Sequence, residues 1–450
     1  MTRAGIQHAD APRSRPRPEG AHSRPGQPPR PAADRLVGAR AANLADHLAH
    51  HGPVPWQGGP GRFLDELRAA GLTGRGGAGF PAWRKLAAAI PASGKPWERD
   101  RLSTGAPIVI ANAAEGEPES AKDAWLLATA PHLVLDGLAL VAEAVSAAEA
   151  HVYAKPGPTT RAVSHALAER RSAGIDRLRP DVRLAPRSFV AGEASAAAAA
   201  VIDGSQAQPF PQFVPLSAPA PRGEGRTGRL RRPVVVCNAE TLAQLALVAR
   251  RGAAWFRSVG TSDEPGTMLV TVSGVVASPG VVEAPIGLTI GEIVRLAGGA
   301  TEPLGAVRVG GYGGAWLPAD QAHRVPMSRA GLASWDASPG PGLLHLLPAG
   351  ACALAETARI AGCLAGQSAG QCGPCVRGLP ELATAAARLA AGGGATDHWA
   401  RQAAEAAELV TGRGACRHPD GAARLVRTAL RVFAADVRAH ATGDCIGSAG

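Results

Sequence analysis

The chain has 450 residues, 46% of them hydrophobic, and a formal net charge of +10, which is enough apolar material for about two to four cores. Its most apolar stretch, residues 132–152, is broken by Asp136, Glu143 and Glu149, so neither a transmembrane helix nor direct membrane insertion is predicted. Half of the net charge falls in residues 1–40, where eight arginines face three acids. That Arg/Pro-rich stretch holds few aliphatic residues and no signal-type apolar core, which predicts a disordered tail. It also lacks interleaved aromatics, so it makes no case for nucleic-acid binding. Seven cysteines, several of them late in the chain, fit a reducing, cytoplasmic compartment and metal ligation better than disulfides.

In chain order, Arg62-Phe63-Leu64-Asp65-Glu66-Leu67 predicts a short helix ending at Gly71. Then comes Gly74-Arg75-Gly76-Gly77-Ala78-Gly79-Phe80-Pro81, with a helix-forming segment behind it. Glycines at this density free the backbone for positive φ and expose N–H donors near a helix start, where the macrodipole favours an anion. The pattern suits a cradle for a phosphate-bearing cofactor, although turns alone also cluster glycines. Of 47 basic residues only Lys85, Lys95, Lys122 and Lys155 are lysines. An otherwise arginine-using chain keeps the compact ammonium at 85 and 122, where the forked guanidinium is not equivalent.

Ile108-Val109-Ile110-Ala111-Asn112 reads as a buried strand. It runs into Ala113-Ala114-Glu115-Gly116-Glu117-Pro118, and polar groups at such a strand end are where α/β sheets hold ligands. Glu115 and Glu117 suit contacts to a ribose, a flavin edge or a nicotinamide amide; ordinary loop solvation is the other reading. Helices are predicted over Pro131–Ser146 and Thr160–Ser172, with a strand at Ala150–Ala154 between them. The alternation argues for a Rossmann-like open sheet. Phe189-Val190-Ala191-Gly192-Glu193-Ala194-Ser195 precedes an alanine-rich helix, and the strand Val234–Val236 leads into Cys237-Asn238-Ala239-Glu240-Thr241-Leu242. From Gly266 the pattern turns to a hairpin, Met268–Val276 with Pro279–Glu283, and a helix capped by Thr289. The last hundred residues read as helices over Leu354–Leu364, Leu379–Leu389, Trp399–Leu409 and Ala422–Val437. Cys372-Gly373-Pro374-Cys375 with the distant Cys416 is a soft-metal signal, for Fe–S or zinc, against inert buried cysteines.

The glycine loop with Lys85 resembles the FMN loop of the NADH-binding 51-kDa flavoprotein subunit of respiratory complex I and of related hydrogenase and formate dehydrogenase subunits. The stretches around Glu115 and Glu117, Gly192 and Glu193, Cys237 and Asn238, and Ser368 to Cys375 resemble further motifs of that family, in the same order. The resemblance covers roughly residues 55–440. It implies an α/β plus all-α architecture: a Rossmann-like FMN/NADH-binding domain over 41–250, an SLBB β-grasp domain over 251–330 and a helical iron–sulfur-binding domain over 331–450. It implies FMN and NAD(P)H contacts at Gly74, Arg75, Gly76, Gly77, Phe80, Lys85, Asn112, Glu115, Glu117, Gly192, Glu193, Cys237 and Asn238. A [4Fe–4S] cluster is implied at Cys372, Cys375 and Cys416. His418 is a candidate fourth ligand and Cys363 its rival.

The implied activity is NADH dehydrogenase-type: electrons pass from NAD(P)H through FMN and the cluster to a ferredoxin or other Fe–S partner. The expected location is cytoplasmic, peripheral to a membrane complex. Ala88, Ala114, Phe189, Ala194, Cys237 and Ala369 stand where the family has other residues. These departures keep two more readings in play, a non-catalytic docking subunit and a zinc-stabilised protein without redox role.

Overall fold

A computed structural model describes residues 34–36, 38, 41–90, 106–204, 207–210, 216 and 232–445. The predicted tail lies outside them up to residue 33, but the expectation of disorder to residue 40 is corrected at its end. Leu36 is fully buried in the first core. The Arg35 guanidinium donates to the carbonyls of Trp255 (2.8 Å) and Phe256 (2.9 Å), a cation on a helix C-terminus.

The first part of the chain carries α1 (Leu44–His51), α2 (Pro60–Ala70) and α3 (Ala82–Ala87), then β1 (Ile108–Ala113), α4 (Lys122–Thr129) and α5 (Pro131–Ala144). It continues with β2 (Glu149–Ala154), α6 (Pro158–Ala173), β3 (Asp181–Leu184), α7 (Ala194–Asp203), β4 (Val234–Asn238) and α8 (Ala239–Phe256). The four strands form a parallel sheet in the order β3-β2-β1-β4. Because the chain reverses its direction of strand addition between β1 and β4, a crevice opens at their carboxyl ends. There the register sets Asn112 opposite Asn238. One face of the sheet packs Val109, Ala111, Val152 and Val235 against α5 and α8. The other packs Ile108, Ile110, Tyr153 and Val236 against α7. Among the described residues no single helix is long and apolar enough to cross a membrane.

The second part carries β5 (Thr267–Gly274), β6 (Gly280–Pro285), α9 (Ile290–Leu296), β7 (Leu304–Val309), β8 (Ala315–Pro318), α10 (Ala319–Ala322), α11 (Arg329–Leu332) and β9 (Leu343–Pro348). Its mixed sheet runs β6-β5-β9-β7-β8, with β5 and β9 parallel at its heart. The predicted hairpin is β5 with β6. The predicted cap is a full capping box, with Thr289 and Glu292 satisfying each other's backbone N–H groups. The boundary expected at 330 falls inside this sheet, because β9 pairs with β5 and β7. The leucine-rich β9, Leu-Leu-His-Leu-Leu-Pro, has no strict alternation, and only the pairing identifies it as a strand.

Among the described residues five α-helices follow: α12 (Ala353–Gly366), α13 (Leu379–Ala391), α14 (Thr396–Val410), α15 (His418–Val432) and α16 (Ala434–Ala441), with a short π-helical turn over Pro374–Gly378 before α13. The single helix predicted over Ala422–Val437 is two, separated at Phe433. Side-chain alternation in the second sheet explains how the bundle attaches. Val307, Val309, Leu317 and Leu346 face the β-grasp core, whereas Ala306, Trp316 and Leu347 face the helices. Trp316 meets the Phe433 ring edge-on at 5.4 Å, and its backbone N–H donates to Thr428 Oγ1 at 3.1 Å.

Four helices of the first part converge on one buried carboxylate. Asp136 on α5 is bonded to His47 of α1 (2.9 Å), Arg170 of α6 (2.8 Å) and Arg250 of α8. Burial works against its charge, but the His47 hydrogen bond and the two guanidinium charges outweigh it and hold the carboxyl at about 2. This folded-state value lies below the ordinary one, so the stability that Asp136 contributes is present above the ordinary carboxylate range and is lost as pH falls toward about 2. Asp136→Asn keeps the shape and leaves two guanidiniums without their shared counter-ion. Denaturant titration at pH 7 is expected to show a loss of about 3–5 kcal/mol; a loss under about 1 kcal/mol would contradict this account.

Candidate functional site

The glycine loop is closed at its base. Gly74 N donates to Phe80 O at 2.9 Å, and Thr73 bridges Pro81. Gly77 and Gly79 adopt φ of 106° and 59°, values that side-chain-bearing residues rarely take. Among the described residues, no protein acceptor takes the amides of Gly76, Gly77, Ala78 and Gly79. The loop borders a cavity of about 830 Å³, within the range of small-molecule and cofactor sites. A Cβ on Gly76 would sit 3.2 Å from Asn238 Cβ, so the loop and the β4 end are already in close approach.

Every residue expected to contact the flavin or nicotinamide lines this cavity, with one exception. Arg75 turns away. Its guanidinium is buried and donates to the carbonyls of Thr73 (3.2 Å), Thr267 (3.1 Å) and Pro265 (3.3 Å), and to Thr73 Oγ1 (2.9 Å). A cation that spends its donors on carbonyls inside the protein is not free to reach a ligand, so Arg75 staples the loop to the start of β5. Lys85 reaches the β4 end, where Nζ donates to Val236 O at 2.9 Å. Phe80 stays exposed on the cavity rim.

The carboxylates divide their work. Glu115 accepts from Ser120 Oγ (2.6 Å), Asp123 N (3.1 Å) and Ala124 N (3.1 Å), capping the start of α4. Burial, and then the nearby Asp123, raises its pKa. Glu193 caps α7 through Ser195 N (2.8 Å) and Ala196 N (3.0 Å). Glu117 accepts Tyr312 N at 2.8 Å from the glycine turn that joins β7 to β8. A Cβ on Gly311 would fall 2.4 Å from its carboxyl carbon. Burial pushes the Glu117 carboxyl up to about 7, against the backbone amides of Tyr312 and Gly313 and the charge of Arg308. Two residues on, Glu119 pairs with Arg308 (2.8 Å) and His345 (3.1 Å). Despite burial, His345 and Arg308 hold that carboxyl at about 2. Glu117 and Glu119 thereby fasten the loop after β1 to the second sheet.

Beneath the cavity, sequence reasoning singled out Lys122 and Asn238 but not the carboxylates that join them. Lys122, fully buried, donates to Asp123 Oδ1 (2.7 Å), Glu240 Oε2 (3.0 Å) and Asn238 Oδ1 (3.1 Å). Burial opposes its charge, but the two carboxylates win and raise its pKa. Asn238 also donates to Asp123 Oδ2 at 2.6 Å and caps α8 through Glu240 N. Asn112 donates to Gly192 O at 2.8 Å. Around the rim, Arg329 donates to Gly77 O (3.0 Å) and Arg424 to Gly313 O (2.9 Å). Neither arginine belongs to a local motif, so no sequence signal pointed to them.

The bundle closes the far wall with Leu364, Cys416, His418 and Asp420. Burial first, and the neighbouring Cys372 and Cys416 second, push the Cys375 thiol up to about 12. Burial likewise pushes Cys416 up to about 11, with Cys372 adding to it. Thiols held together at such values favour the neutral form unless a metal takes up their charge. The candidate fourth ligand has one ring nitrogen uncommitted: among the described residues His418 Nδ1 is buried with no hydrogen-bond partner. His418 Nε2 bonds Leu364 O at 2.8 Å and its ring lies 5.1 Å from Phe189. Cys363 packs half-buried against the bundle core.

Three family models match this chain: the Nuo51 FMN-binding domain over residues 67–247, the SLBB domain over 269–314 and the NADH-ubiquinone oxidoreductase-F iron-sulfur binding region over 355–440. An NADH-quinone oxidoreductase F-subunit of Rhizobium meliloti (strain 1021) is 30% identical over 395 residues, covering 85% of this chain and 89% of that protein. The mitochondrial NADH dehydrogenase [ubiquinone] flavoprotein 1 of Dictyostelium discoideum is 28% identical over 390 residues, 83% of this chain and 78% of its own. The crystal structure of an NAD+-reducing [NiFe]-hydrogenase in the H2-reduced state superimposes with a TM-score of 0.71 at 30% identity. There the match covers 84% of this chain but 62% of the hydrogenase chain. The chain belongs to the F-subunit family of NADH-quinone oxidoreductases, the NADH-binding flavoprotein subunits of respiratory complex I.

Proposed function

We propose that this chain binds FMN in the 830 Å³ cavity, takes electrons there from NAD(P)H, and passes them to a [4Fe–4S] centre on Cys372, Cys375 and Cys416 and on to an iron–sulfur partner subunit. The observation that carries the reading is a single cavity lined both by the glycine loop, with its open amides from Gly76 to Gly79, and by Cys416. When bound, FMN would supply the exchange between two-electron and one-electron chemistry. The protein's part is to bind and orient. The loop amides and Lys85 suit the phosphate end. Asn112, Asn238 and Glu193 give the carboxyl end of the sheet a fixed set of polar groups, and Phe80 offers a stacking face. Glu117 holds a proton near neutral pH.

The same reading divides the chain into an FMN-binding α/β part, a β-grasp part and a helical iron–sulfur part, with a basic tail before them. It puts the protein in the cytoplasm, on the peripheral arm of a membrane complex. A docking subunit without catalysis is the second reading, favoured by Ala369 at the place of a cluster ligand.

Anaerobically purified protein is expected to show flavin absorption that bleaches on adding NADH. A flavin spectrum indifferent to NADH would favour the docking reading, and a colourless protein would remove the flavin altogether. Cys372→Ser is expected to lose most of its iron while keeping its flavin; unchanged iron would move the cluster elsewhere.

Glu117 makes a separate prediction. Its folded-state pKa of about 7 lies above the ordinary carboxylate value of 4.5. Its contribution is therefore full below pH 4.5 and is lost as pH rises through about 7. The Tm of Glu117→Gln should accordingly gain on that of the parent between those pH values. Parallel Tm–pH curves would show that Glu117 titrates normally.

A further inference from the structure

A second cluster of metal-ligating side chains lies at the other end of the helical bundle. Cys352 caps α12, its Sγ accepting Ala355 N at 3.4 Å. The cavity-lining Leu364 stands twelve residues further along the same helix, about 18 Å away at 1.5 Å per residue. His440 on α16 is buried, and its Nε2 approaches Cys352 Sγ at 3.5 Å. Its backbone is tied down by Gly393 N, which donates to His440 O at 2.8 Å. The chain then turns back at Gly443, with φ 87° and Asp444 N donating to Ala439 O at 3.0 Å. That turn delivers Cys445 to the same place. Ligand atoms of Cys352, His440 and Cys445 all lie within 4.8 Å of one another. Among the described residues no other group of three His, Cys, Asp or Glu meets that spacing.

We propose that Cys352, His440 and Cys445 form a zinc site, separate from the cluster cysteines, with water as the fourth ligand. The spacing suits a single ion rather than a cubane, whose thiolates bind different irons and stand farther apart. A tetrahedral ion with Zn–S of about 2.3 Å and Zn–N of about 2.0–2.1 Å separates its sulfur and nitrogen by about 3.6 Å. The observed Cys352–His440 distance of 3.5 Å meets that edge length. Two thiols and one imidazole are soft and borderline donors of the kind zinc selects. Binding releases two protons, one from each thiol, and the resulting pair of thiolates neutralises the dication in a half-buried place. The ion would clip the segment after α16 to the start of α12, and it would do so without reference to the flavin cavity.

The test uses the full chain, purified anaerobically, given one equivalent of zinc and desalted, with zinc, iron and flavin then measured. One zinc per chain is expected in the parent and none in Cys445→Ser or Cys352→Ser, with iron and flavin unchanged in both. Cys445 lies outside any helix, so its variant keeps the test open if Cys352→Ser fails to fold. Cadmium in place of zinc should give a thiolate charge-transfer band in the parent that is lost in Cys445→Ser. The proposal is overturned if zinc is not retained, if retained zinc follows Cys372→Ser instead, or if native mass spectrometry finds Cys352 and Cys445 joined as a disulfide.

Discussion

The structure around the cavity depends on a single buried ammonium. Lys122 has three N–H donors and meets three acceptors, on Asp123, Asn238 and Glu240. Those acceptors begin α4, end β4 and begin α8. Glu240 also takes Leu269 N of β5 at 2.8 Å, and Arg75, which tethers the glycine loop to that same strand, adds a second positive charge close to Glu240. Two cations and the carboxylates of Asp123 and Glu240 thus meet in one buried place, where any one left alone would be costly. A guanidinium is too broad and too flat to converge on three acceptors in this way, which accounts for a lysine here in a chain that otherwise uses arginine.

From that centre the cavity is a meeting point of three structural parts. The parallel sheet supplies its floor through the ends of β1 and β4. The β-grasp sheet supplies the glycine turn that donates to Glu117, and the bundle supplies Leu364, Cys416 and His418. Glycines matter where backbones touch backbones. A Cβ on Gly116 would lie 2.1 Å from Phe189 O, and one on Gly192 2.4 Å from Ala114 O. The two loops that carry Glu115 and Glu193 are therefore interlocked, and the carboxylates are positioned by caps on α4 and α7 rather than by each other. This geometry also bears on the departures from the family pattern. Ala114 is buried among Ile108, Ile110 and Val236, and the Phe189 ring meets His418 at a tilt of 57°, so both replacements are absorbed by packing.

Local patterns made much of this legible beforehand. Positive-φ glycines, a β-branched run ending in asparagine, a capping box and a CxxC each encode backbone conformation or ligand chemistry within a few residues. They pointed to the loop, the strand ends and the paired cysteines Cys372 and Cys375, and every expected flavin or nicotinamide contact but Arg75 lines the cavity. The strand β9 was missed because a run of leucines has no period of its own. The buried positions of Arg35 and Leu36 were missed because their partners lie far along the chain, as Phe256 and Glu283 do.

The sequence by itself determined which residues can do chemistry and how their immediate backbone bends. Tertiary structure alone decided which way those residues face. Arg75 and Lys122 look equally available in a motif, but the first is drawn to carbonyls near β5 and the second to carboxylates beneath the cavity. His418 Nε2 bonds Leu364 O, fifty-four residues back in the chain, while His440, far from Cys352 in the chain, comes within 3.5 Å of it. The reason is physical: a buried charge or donor goes to whatever partner the packing of distant elements brings within reach, and no local spacing encodes that partner.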